Sequence, residues 1–137
     1  MSTMAMKAQF EASADAVWGI VRDFGRPDKF IAAVQGARLE GRGVGARRIL
    51  AFGDAEVIER LDAFDDKARS LTYSIVSAPL PMEGYSSTMR VREAGKARCE
   101  LEWSCRFTPK GAPEADVKKI VEGVYTAGFE GIRKLVS

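Results

Sequence analysis

Apolar and polar residues alternate with period two through most of the chain, from about Val34 to about Thr108. This pattern predicts six successive strands over 35–41, 45–52, 55–64, 69–78, 85–94 and 97–108. They are punctuated by Gly41-Arg42-Gly43, Gly53-Asp54, Asp65-Asp66, Pro79-Leu80-Pro81 and Ala94-Gly95-Lys96. Connections this short require antiparallel neighbours. The last strand is the clearest, with Cys99, Leu101, Trp103, Cys105 and Phe107 on one side and Glu100, Glu102, Ser104, Arg106 and Thr108 on the other. One face of the sheet is therefore dry and the other wet. A further strand is predicted over 4–11, before the helical segments.

Helical spacing frames this sheet. Ser13 offers an N-cap with Asp15 in the first turn, and Val17, Trp18, Val21 and Phe24 recur on one face until Gly25. Pro27 suits the first position of a second short helix, Pro27 to Ala33, which carries Phe30 and Ile31 inward. After Pro109-Lys110-Gly111-Ala112-Pro113, a long helix is predicted from Glu114 to about Val136, with Val117, Ile120, Val121, Val124, Ile132 and Leu135 as its apolar stripe. At 1.5 Å per residue it is roughly 33 Å long, enough to cross the dry face of a bent sheet. Gly123, Gly128 and Gly131 each weaken it by about 1 kcal/mol relative to Ala. Close backbone packing and space for a ligand both account for them.

Glu59 stands out chemically. It shares its parity with Val57, Leu61 and Ala63, and a carboxylate on an inward strand face must be hydrated, paired or protonated. The inward reading hints at a wet or ligand-filled interior. The other parity of the same strand, Glu56, Ile58, Arg60, Asp62 and Phe64, also carries two apolar residues, so a solvent-facing Glu59 stays open.

Composition narrows the function classes. The length of 137 residues fits a single domain spanning 1–137. A balance of 21 basic against 19 acidic residues, without a basic run interleaved with aromatics, suggests neither nucleic acid nor an anionic membrane surface as partner. Arg47-Arg48, Arg90 and Arg92 read as solvated strand-face charges. No apolar run approaches the length of a membrane span, and MSTMAMKAQF lacks the layout of a secretory signal, so a cytoplasmic location is the expectation. Cys99 and Cys105 lie roughly 20 Å apart along one strand at about 3.3 Å per residue, too far for a disulfide, and read as buried free thiols. Without histidine, no Ser/His or Cys/His nucleophile pair and no His-bearing zinc site can form, so neither metal nor cofactor is expected. Gly41-Arg42-Gly43-Val44-Gly45 imitates a phosphate loop, but without a parallel strand, a following helix or a Lys-Ser/Thr ending it reads as a hairpin turn.

The stretches Val17-Trp18-Gly19-Ile20-Val21-Arg22-Asp23-Phe24 with Pro27, Val44-Gly45 with Arg48, Glu59-Arg60-Leu61-Asp62 with Asp65-Asp66, Tyr73-Ser74-Ile75 and Gly84-Tyr85-Ser86-Ser87 span nearly the whole chain. With them the chain resembles the START-like, Bet v 1-like (SRPBCC) superfamily, specifically its bacterial polyketide cyclase/dehydrase group, and is similar to the plant abscisic acid receptors. The resemblance implies an α+β helix-grip fold: a seven-stranded curved antiparallel sheet wrapped around a long C-terminal helix, with two short helices after strand 1. It also places Glu59, Tyr85 and Ser87 in a pocket, where they hold polar groups of a ligand partly through water. Ile120, Val124 and Gly128 match the helix residues that close the receptor pocket. Ala32 stands where the receptors have a lysine that pairs with the hormone's carboxylate. Ala51-Phe52-Gly53-Asp54 is a shortened gate loop, and Leu80-Pro81-Met82 takes the place of the second mobile loop.

Two functions compete on these residues, with a third beside them. The first is binding of a small hydrophobic or amphipathic ligand (lipid, polyketide or isoprenoid-like) in an internal cavity. Phe30, Leu61, Tyr73, Ile75, Met89, Trp103, Ile120 and Val124 would line it, with Glu59, Tyr85 and Ser87 as its convergent polar groups. The second is a metal-free cyclase, aromatase or dehydratase in which Glu59 serves as base and Tyr85 donates to a carbonyl oxygen. The third adds a ligand-dependent protein partner meeting the loops near Gly53 and Pro81. A monomer or weak dimer is expected.

Overall fold

A computed structural model describes residues 1–137. Seven antiparallel strands form one sheet: β1 (Ser2–Phe10), β2 (Gly36–Glu40), β3 (Arg47–Phe52), β4 (Ala55–Asp65), β5 (Ser70–Ser77), β6 (Met82–Gly95) and β7 (Arg98–Pro109), in the order β1-β7-β6-β5-β4-β3-β2. Strands β2 to β7 form a meander, as their short connections demand, and β1 closes the far edge on β7. Helix α1 (Ala14–Val21) follows β1, and the long helix α2 (Glu114–Val136) packs across the dry face. The curved sheet wrapped around α2 is the helix-grip arrangement expected from the sequence.

Local chemistry sets the ends of α1. Ser13 Oγ accepts the Ala16 N–H at 3.1 Å, the N-cap bond its side chain is suited to make. Trp18 Nε1 donates to Asp66 Oδ1 at 2.7 Å, which ties α1 to the β4–β5 turn. The second short helix is only a 3-10 turn, Pro27–Lys29, and not the predicted 27–33. At Phe30 (φ −127°, ψ −9°) the backbone leaves helical geometry, and Phe30 and Ile31 then turn inward as expected.

A bulge explains Phe64, one of the two apolar residues on the second parity of β4. Val57, Glu59 and Leu61 are buried, but the register shifts between Leu61 and Ala63, so that Phe64 comes round beside Trp18 and opposite Leu71. Glu59 therefore faces inward. In α2 the buried stripe is Val117, Val121, Tyr125, Gly128, Phe129 and Ile132. Ile120 (39 % exposed) and Leu135 (50 % exposed), both assigned to the stripe from sequence, lie at its margins.

Two helix glycines serve close approach. A Cβ at Gly131 would stand 1.8 Å from the Phe30 carbonyl oxygen, and one at Gly128 would stand 2.6 Å from Trp103 Cζ3. Neither leaves room for a ligand, so backbone packing accounts for both. Gly123 faces open space. Gly41, Gly43 and Gly45 have φ of 87°, 62° and 96°, consistent with a turn between β2 and β3. Cys99 and Cys105 are buried free thiols, and burial raises the pKa of both. No helix is long and apolar enough to cross a membrane.

Candidate functional site

A cavity of about 310 Å³ lies between the inner face of β3–β7 and the first half of α2. Its walls are Leu50 and Phe52 from β3, Ala55 and Val57 from β4, Tyr73 and Ile75 from β5, Met82 and Tyr85 from β6, Trp103 from β7, and Ile120, Val121, Val124 and Tyr125 from α2. Ile31, Ala33, Pro79 and Leu80 complete it from the loops, and Arg48 and Glu59 are its charged residues. Sixteen of the nineteen lining residues are hydrophobic, so the few polar atoms decide which ligand chemistry fits.

The charged residues face each other across the β3–β4 ladder, where Arg48 is the register partner of Glu59. Arg48 Nε donates to Glu59 Oε1 at 2.7 Å, and Nη2 lies 2.7 Å from the same oxygen. Nη1 donates to the Phe24 carbonyl oxygen at 3.1 Å. The guanidinium carbon also lies 4.1 Å from the Phe24 ring centre and 4.7 Å from that of Tyr73. The expectation of a solvated Arg48 is thus overturned: the residue is 6 % exposed, because an inward carboxylate opposite it needs a buried cation. Arg47, Arg90 and Arg92 are exposed, as expected.

The neutral polar groups form one directed network. Trp103 Nε1 donates to Ser87 Oγ at 2.9 Å and lies 3.2 Å from the Tyr73 hydroxyl oxygen, which also accepts from it. Ser87 Oγ donates to the Ser104 carbonyl oxygen at 3.0 Å, which uses its single hydrogen. The 2.9 Å bond between Ser87 and Tyr125 must then carry the Tyr125 hydrogen. By the same reasoning, the 2.6 Å bond between Tyr85 and Tyr125 carries the Tyr85 hydrogen. Tyr85 consequently presents only lone pairs to the cavity.

Burial raises all three phenols. Tyr73 is pushed up to about 12, by desolvation and then by the nearby Glu59 carboxylate. Desolvation and neighbouring phenols hold Tyr85 and Tyr125 well above the ordinary value. All three stay protonated at neutral pH.

Of the residues singled out from sequence, Glu59, Tyr85, Tyr73, Ile75, Trp103, Ile120 and Val124 line the cavity. Ser87, Phe30, Leu61, Met89 and Gly128 do not. Ser87 is sealed behind Tyr125, and Phe30 lies under Gly131. Leu61 borders a separate outer depression with Phe24 and Leu39. Met89 is buried between its register partners Leu71 and Trp103, and Gly128 is covered by the Trp103 ring. Alternation identifies which face a residue is on, but not whether that face is packed or hollow at its position.

Arg48 and Tyr125 were missed. Tyr125 lies four residues after Val121 on the helix stripe, a legible signal, whereas Arg48 shares its parity with Leu50 and Phe52 but its charge argued for water.

A family model described as polyketide cyclase / dehydrase and lipid transport matches residues 1–137. The chain is 30% identical over 140 residues to the abscisic acid receptor PYL2 of Arabidopsis thaliana, covering 93% of this chain and 74% of that protein. Among solved structures, the protein XoxI from Bacillus cereus superposes with a TM-score of 0.93 at 29% identity, over 99% of this chain and 96% of that one. Norcoclaurine synthase from Thalictrum flavum, in complex with dopamine and hydroxybenzaldehyde, superposes with a TM-score of 0.74 at 23% identity, over 98% of this chain and 86% of that one. That degree of likeness extends to the fold alone.

Proposed function

Because the chain belongs to the polyketide cyclase/dehydrase and lipid transport family, we propose that it binds one small hydrophobic or amphipathic ligand, lipid, polyketide or isoprenoid-like, between the sheet and α2. The observation that carries this reading is the hollow itself: about 310 Å³ with an almost wholly apolar wall. Small-molecule sites run from ~300 to 1,000 Å³, so the ligand is small. PYL2 is named as a receptor for abscisic acid, which fits a ligand-binding role for this shape of cavity.

A cyclase or dehydratase would need an acid and a base within reach of the substrate. Glu59 keeps one free oxygen, but the other is held by Arg48, and the Tyr85 hydrogen is committed to Tyr125. That arrangement favours binding over turnover.

An environment-sensitive apolar dye should bind at one site per chain and be displaced by ligand. Val124→Trp, which fills the hollow from α2, should abolish dye binding with helix content unchanged. Undiminished binding by that variant would place the dye elsewhere and remove the reading.

A further inference from the structure

Both contacts from Arg48 fall on Glu59 Oε1, and Oε2 has no hydrogen-bond partner in the protein. Glu59 is only 8 % exposed, yet no fully buried side-chain nitrogen or oxygen in the molecule lacks a partner. Oε2 therefore has open surface, and the space that Glu59 borders is the cavity. An unpaired carboxylate oxygen in an apolar hollow is costly unless something donates to it.

Tyr85 has the same sense, whereas the Tyr73 hydroxyl, which accepts from Trp103 Nε1, keeps its own hydrogen as a donor. The hydroxyl relay runs from Tyr85 through Tyr125 and Ser87 to the Ser104 carbonyl, so Tyr85 offers an acceptor. The one cation in the wall is already paired: Arg48 Nε donates to Glu59 Oε1, Nη2 lies 2.7 Å from the same oxygen, and Nη1 donates to the Phe24 carbonyl. A ligand carboxylate would find the cation already paired with Glu59 and would meet Oε2 as a like charge. An ammonium group would lose its hydration to a wall whose charges already cancel.

We infer that the cavity selects a neutral apolar ligand bearing a hydroxyl, whose O–H donates to Glu59 Oε2, and that it discriminates against carboxylates of the same chain length. This deepens the binding function proposed above and rests on it.

The test is competition against the bound apolar dye with three probes of matched length at pH 8: 1-nonanol, methyl octyl ether and nonanoate. A hydrogen bond to a charged acceptor predicts that nonanol competes about tenfold or more better than the ether, and better still than nonanoate. In Glu59→Gln the charge is gone and Arg48 is left without its counter-ion, so the order should invert, with nonanoate the strongest competitor. Equal competition by nonanol and the ether, or strong competition by nonanoate in the unaltered protein, overturns the selectivity while dye binding keeps the cavity function standing. Failure of the dye to bind at all would instead remove the function on which it rests. The comparison among probes needs no variant, so it decides the matter even if Glu59→Gln does not fold.

Discussion

The two halves of α2 meet the same inner sheet face in opposite ways. Toward its C-terminus, Gly128 and Gly131 let the helix sink until Trp103 and the Phe30 carbonyl fill all the space beneath it, with Phe129 edge-on to Trp103 and Ile132 fully buried. Toward its N-terminus, Ile120, Val121 and Val124 stand over a hollow whose floor holds Arg48 and Glu59. Tyr125 marks the boundary, its ring stacked 4.0 Å from Trp103 and its hydroxyl in the relay from Tyr85. One end is optimised for packing, whereas the other carries a buried ion pair, a kind of contact that well-packed apolar residues often replace at little cost in stability. Cost concentrated in a hollow is the physical mark of a site.

Removing one member of the pair should break this division most severely. Arg48→Met leaves Glu59 buried without its cation, and should lower stability by about 3–5 kcal/mol in urea unfolding. Arg48→Met with Glu59→Leu should recover most of that loss. A double variant as unstable as the single one would show that the pair itself holds the fold.

At the packed end, Gly131→Ala should cost about 3 kcal/mol, because its Cβ meets backbone and not a flexible side chain. Dye affinity in the hollow should hardly change. A parallel fall in affinity would mean that the two ends are not separable.

The smallest effect is a pH dependence of the boundary. All three tyrosines of the chain belong to this network, and burial gives each a higher pKa folded than unfolded. Their contribution is complete below the ordinary phenol value of about 10 and is lost as pH rises toward the folded values, about 12 for Tyr73. Phenolate absorbance should therefore appear only as the protein unfolds in alkali. Tyr73→Phe should make the loss of stability with rising pH shallower. A phenolate titrating near pH 10 in the folded protein would show that the cavity end is open to water.

Much of this was legible in the residues. Alternation from Val34 to Thr108 and the capping chemistry of Ser13 specify strands and helix through local periodicity, and those elements stand in the structure with shifted ends. The parity of Glu59 with Val57 and Leu61 favoured the inward face while leaving a solvent-facing one open, and the structure turns it inward. Its partner was harder to read. Charge alone places Arg48 with Arg47 in water, and only the β3–β4 register sets it opposite Glu59. Likewise Leu61 and Met89 share inward faces with true lining residues, yet they sit where neighbouring side chains fill the space.

The sequence by itself determined the elements and the face that most strand residues take, because these follow from backbone period and solvation. Tertiary structure alone decided where the interior is hollow, which oxygen of Glu59 is free and which way the tyrosine hydrogens point. Those properties depend on distances between residues far apart in the chain, set by the bend of the sheet and the depth to which two glycines let α2 descend.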